Sequence, residues 1–123
     1  MVMVTEKTKA LYQKALDWLN QKKFENIKAR IEPFEEPKTF YRKGDDLAFT
    51  PDFSAVRGGK KSFFDIALKE ETRRQLAGKW QLMQELADRN GGNLYLFAPT
   101  GHKAFAQRVV EDFNIKAQVV SLT

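Results

Sequence analysis

The sequence predicts a single α/β domain in which a mixed central β-sheet is flanked by helices. Three observations predict it. Short strand-like pieces broken by turn residues fill Phe24 to Ala67, helical periodicity returns after Lys69, and a nearly continuous apolar run from Asn93 to Ala98 follows that helix. An antiparallel meander followed by a strand–helix–strand crossover implies a sheet with both antiparallel and parallel neighbours. The summed order is helix, three or four strands, helix, strand, helix, strand: αβββαβαβ with room for an extra N-terminal strand. At 123 residues the chain suits one domain with its own core, so residues 1–123 are read as one unit.

The segment from Thr5 to about Gln21 has Leu11, Ala15, Trp18, Leu19 and Lys22 at helical spacing, with Thr5 as its N-cap. Strand-like pieces follow at Ile27 to Ile31 and Thr39 to Arg42, separated by Pro33 to Pro37 and followed by the turn residues Gly44-Asp45-Asp46. Gly58-Gly59 then divides two further runs with strand character, a signal for a two-residue hairpin turn. In the next helix Leu76, Trp80, Met83 and Ala87 line one side, with Leu82 and Leu86 beside them, until Asn90-Gly91-Gly92 stops it. The apolar run Asn93 to Ala98 reads as a strand covered on both faces. Pro99-Thr100-Gly101 turns the chain into a helix with Phe105, Val109, Val110 and Phe113 on its stripe, and Ile115 to Leu122 reads as the last strand.

With no cysteine, disulfides and thiolate zinc sites are excluded, and a histidine-centred triad would have to use the single histidine, His102. No apolar stretch approaches the roughly 18–20 residues of a membrane span, so the expectation is a soluble, cytoplasmic protein with no membrane partner. Twenty-one Lys and Arg against sixteen Asp and Glu leave a net charge of +5, which suits a polyanion and equally an ordinary soluble surface. The dense positions are Lys22-Lys23, Arg57 to Lys61 and Arg73-Arg74. Trp18 and Trp80 fall on apolar helix faces and are read as core, and Asp45-Asp46 as turn chemistry.

The functional signal lies in the hairpin. If Gly58-Gly59 is the turn, Arg57 pairs with Lys60, and counting outward brings Asp52 opposite Asp65. Directly opposed residues have Cβ atoms roughly 4.5–5.5 Å apart, where like charges repel. A divalent cation held by both carboxylates would offset that repulsion.

Pro51-Asp52 on one strand and Asp65 on the next, within this order of elements, resembles the PD-(D/E)XK nuclease superfamily, also called restriction-endonuclease-like. The resemblance spans most of the chain and implies a restriction-endonuclease-like core. It implies that Asp52 and Asp65 are metal ligands, that the Ile66 carbonyl supplies another oxygen, and that magnesium, or manganese in its place, is the cofactor. The family's lysine two positions after the second acid is missing, because that position is Ala67. Lys69 shares the Asp65 face of the strand and is the preferred substitute, with Lys79 and Arg73 on the following helix as others. Gln75 resembles the glutamine that many members carry on this helix; Glu6 could supply the third carboxylate found in some, though a glutamate on a helix surface is ordinarily just solvated.

The activity implied is metal-assisted hydrolysis of phosphodiester bonds, with nucleic acid, DNA by preference, as partner and with weak sequence preference. Many relatives form homodimers, and nothing in the sequence fixes that state. Two further readings stay open: a non-catalytic member of the same fold that binds nucleic acid or protein, and an unrelated α/β domain whose acidic pair is accidental.

Overall fold

The computed structural model describes residues 6–42, 47–68 and 72–122. Gly58 and Gly59 have φ of 60° and 75°, the left-handed pair that a tight type I′ turn requires. They join β4 (Phe53–Arg57) to β5 (Lys60–Ile66), which pair antiparallel from Arg57↔Lys60 out to Phe53↔Phe64. The register is the one the glycine pair predicts.

Beyond the hairpin, β5 runs parallel to β6 (Gly91–Pro99), and β6 parallel to β7 (Gln118–Leu122). The crossovers are made by α2 (Arg73–Arg89) and α3 (Lys103–Asp112). On the other side of the hairpin β1 (Glu25–Ala29) pairs antiparallel with β4, so the sheet order is β1-β4-β5-β6-β7 and the sheet is mixed. With α1 (Glu6–Gln21), three helices flank it. Among the described residues no helix is long and apolar enough to cross a membrane.

Period-2 alternation splits the core into two layers. Phe64 and Ile66 of β5, with Phe53, Ala55, Tyr95, Phe97 and Leu122, face α1 and pack on Tyr12, Ala15, Leu16 and Leu19. Phe63 and Ala67, with Leu94 and Leu96, face α2 and α3 and pack on Leu76, Trp80, Met83, Ala106 and Val109. The α1 layer is aromatic: Phe64 stacks on Tyr95 and Phe97 with ring centroids 5.0 and 5.7 Å away. Thr72 and Gln75 close a capping box on α2, each accepting from the other's backbone N–H. Such a cap is worth about 1 kcal/mol.

The expected meander is corrected in one respect. The piece at Thr39 to Arg42 does not join the main sheet; β2 (Phe40–Arg42) pairs with β3 (Leu47–Phe49) in a separate two-stranded ribbon, and β1 passes directly to β4. Phe40 stacks on Phe49 and sets its edge against Phe63, so the ribbon lies over the α2-side layer as a cover. Three boundaries also move: β1 runs over Glu25–Ala29 rather than Ile27 to Ile31, β6 begins at the glycines rather than at Asn93, and the last strand at Gln118 rather than Ile115.

Candidate functional site

Asp52 immediately precedes β4 and Asp65 is the penultimate residue of β5, so the two acids meet where the hairpin opens, at the carboxyl end of β5. In open α/β sheets this is the end of the strands where ligands bind. Asp52 is partly buried and its oxygens accept from two donors: Tyr12 Oη–H to Oδ1 at 2.6 Å and the Ile66 backbone N–H to Oδ2 at 2.8 Å. The N–H and C=O of one strand residue point to the same side, so the Ile66 carbonyl faces the Asp52 side of β5.

Asp65 is 1% exposed. Its Oδ2 accepts from Trp80 Nε1–H at 2.9 Å and lies 3.1 Å from Lys79 Nζ. Both donors come from α2, which docks its Leu76–Trp80–Met83 stripe on this face of the sheet. The other oxygen, Oδ1, is buried without a hydrogen-bond partner among the described residues. Buried carboxylate oxygens are normally satisfied, because an unmet one carries its full desolvation penalty.

The pair is electrostatically loaded. Burial, then the Asp65 charge and a hydrogen bond shared with Asp65, push the Asp52 carboxyl from 3.8 up to about 7, against the opposing pull of Lys79 and Tyr12. Burial and the Asp52 charge hold the Tyr12 hydroxyl well above its ordinary value, so it stays a donor. Once both acids are ionised they share one lysine, and Asp65 Oδ1 lacks a donor. That donor set fits a hard divalent cation. Magnesium is commonly bound by one or two carboxylates plus water and substrate phosphates, so the absence among the described residues of a cluster of three or more acid, histidine or cysteine side chains does not conflict with it.

Of the cations named from the sequence, Lys79 reaches the acids, while Arg73 pairs with Asp112 of α3. Lys69 and the side chain of Glu6 lie outside the described residues. Gln75 is engaged in the α2 cap, and His102 takes the N-cap position of α3.

Tyr12 and Trp80 are site contributors that sequence patterns hide, because each sits on an apolar helical stripe. The available signal is chemical: a buried Tyr or Trp keeps a polar end that needs a partner.

A cleft of about 560 Å³ adjoins the site, lined by Arg30, Thr39, Phe49, Thr50, Gln75 and Lys79. It runs between the β2–β3 ribbon and α2 and meets the acids at Lys79, which both lines it and pairs with Asp65. Comparison with family models and with curated proteins finds no match to this chain.

Proposed function

We propose that the chain is a small metal-dependent nuclease with a restriction-endonuclease-like core that hydrolyses phosphodiester bonds, of DNA by preference, in the cytoplasm. The observation that carries this reading is the Lys79 ammonium 3.1 Å from Asp65, beside Asp52 at the open end of the hairpin. It supplies from a helix the positive charge that the strand lacks at Ala67.

Asp52, Asp65 and the Ile66 carbonyl would hold magnesium or manganese. When bound, the ion supplies an activated water at neutral pH and charge stabilisation at the phosphoryl oxygens. The chain's own groups do the rest. Tyr12 and the Ile66 N–H fix the Asp52 carboxylate, and Trp80 fixes that of Asp65, so neither must reorganise as charge develops. Lys79 donates toward the attacking water and offsets negative charge on the phosphoryl group. Hydrolysis adds the water oxygen to phosphorus as the bond to the leaving oxygen breaks, and that oxygen takes up a proton.

The test is cleavage of single- and double-stranded DNA with magnesium or manganese, comparing wild type with Asp52→Asn and Asp65→Asn. Each substitution is expected to lower the rate at least a hundredfold, on the order of what positioned catalytic groups contribute. Cleavage that survives both substitutions eliminates the site.

One observation favours the second reading, a non-catalytic binding module. Three of the four acid oxygens already accept hydrogen bonds from the protein, a degree of internal satisfaction that suits a structural network. A wild-type chain that binds an oligonucleotide but does not cleave it with either metal would establish that reading.

A further inference from the structure

We propose that Arg30 is the phosphate-holding residue of the cleft beside the acids, binding the backbone of a nucleic-acid strand next to the bond presented to Asp52 and Asp65. This rests on the reading of the site as one that acts on phosphodiesters.

Arg30 follows β1, and its backbone N–H donates to the Asp52 carbonyl at 3.2 Å. That bond ties the start of the Arg30 side chain to the residue that carries the first acid. The side chain lines the cleft, where its Nε is buried and has no hydrogen-bond partner among the described residues. A guanidinium presents five donors in a fixed fork that matches two oxygens of a phosphate. With Nε buried, the donors that a ligand in the cleft can meet are the four on the terminal nitrogens of the guanidinium, enough for two oxygens of one phosphate.

The rest of the lining favours an anionic, oxygen-rich ligand. Lys79 supplies a second positive charge, and no carboxylate lines the cleft among the described residues. The Thr39 and Thr50 hydroxyls lie 2.7 Å apart at the open end of the β2–β3 ribbon, where β2 starts and β3 finishes. One hydroxyl proton serves that bond, which leaves the other to donate to a ligand oxygen. The cleft falls within the roughly 300–1,000 Å³ of small-ligand sites, a volume that suits a nucleotide-sized stretch of one strand. The net charge of +5 supplies the longer-range attraction for such a polyanion.

The experiment is fluorescence anisotropy of a labelled 12-nucleotide single-stranded DNA, in EDTA so that nothing is cleaved, across a salt series, with thermal unfolding of each protein recorded alongside. Arg30→Ala is expected to keep its melting temperature, to weaken binding about tenfold, and to flatten the log Kd against log salt slope by about 0.7, the value of one lost single-strand phosphate contact. Arg30→Lys, which keeps the charge without the fork, is expected to restore the slope and only part of the affinity. If Arg30→Ala does not fold, Arg30→Gln takes its place with the same outcomes. Unchanged affinity and slope in a folded variant overturn the proposal. That result leaves the nuclease reading intact if Asp52→Asn still abolishes cleavage. Conversely, a chain that never cleaves but whose binding depends on Arg30 removes the nuclease reading and keeps the phosphate site.

Discussion

The Tyr12 hydroxyl donates to Asp52 Oδ1 at 2.6 Å, joining the buried stripe of α1 to the acid at the mouth of the hairpin. Tyr12→Phe keeps the ring packed against Phe53, whose centroid lies 5.1 Å away, and removes only the donor. A hydrogen bond to a charged group contributes about 1.5–3 kcal/mol. The loss is expected where Asp52 is ionised, at pH 8, and to be smaller at pH 5, where its carboxyl, pushed up to about 7, is protonated. Urea denaturation at the two pH values measures both, and equal losses would show that the bond does not depend on the charge of Asp52.

Asp52 also sets a pH dependence for the metal-free protein. Its carboxyl titrates near 3.8 in the unfolded chain and at about 7 in the folded one, so between those values the native state binds more protons. Its contribution to stability is therefore fully present below about pH 4, falls as pH rises through about 7, and is level above that. The urea midpoint in EDTA is expected to be lower at pH 8 than at pH 5, and Asp52→Asn to flatten the difference. Magnesium competes with the proton for the same oxygens, so the rise in melting temperature it causes is expected to be larger at pH 8 than at pH 5. No magnesium-dependent shift at pH 8 would contradict the fit of the acid pair to a cation.

The hairpin was legible in the sequence because its constraint is local. Only residues tolerant of positive φ make the tight turn, so Gly58-Gly59 fixes Arg57↔Lys60, and Asp52 and Asp65 follow by counting. The choice of Lys79 was not legible in the same way. Strand alternation says which residues share a face with Asp65, but where a helix lysine arrives depends on how α2 docks through Leu76, Trp80 and Met83. Tyr12 and Trp80 read as core for the same reason: their rings are core, and only the folded structure shows what their polar ends touch. The ribbon of β2 and β3 escaped because three-residue strands carry no pattern long enough to name their neighbour.

Two glycines predict opposite outcomes for one chemical change. A Cβ at Gly92 would lie 2.0 Å from the Lys61 carbonyl oxygen, where the β5–β6 register shifts, so Gly92→Ala must push two backbones apart. Overpacking of this kind costs about 1–3 kcal/mol or more. Gly78, inside α2, has nothing within 4 Å of its Cβ position, so Gly78→Ala is expected to stabilise by about 0.5–1 kcal/mol through helix propensity. Urea midpoints of the two variants check the pair. A neutral Gly92→Ala would mean that β5 and β6 can separate there without cost.

The identity of the functional lysine yields the last prediction. Lys79 Nζ is 3.1 Å from Asp65 Oδ2, its side chain is 17% exposed, and its charge opposes the rise in the Asp52 pKa. Lys79→Ala is expected to lower the cleavage rate by about 10²–10³, the range for losing one positioned charge-stabilising group. Lys69→Ala tests the lysine that the sequence pattern prefers, and its effect is expected to be at least about tenfold smaller. Because Lys79→Ala also leaves the buried Asp65 with less compensation, its unfolding is recorded under assay conditions, and Lys79→Arg serves as the variant that keeps the charge. Recovery of part of the rate in Lys79→Arg separates a role in charge from a role in packing. If Lys69→Ala carries the larger loss, Lys69 supplies the positive charge and the contact from α2 is structural.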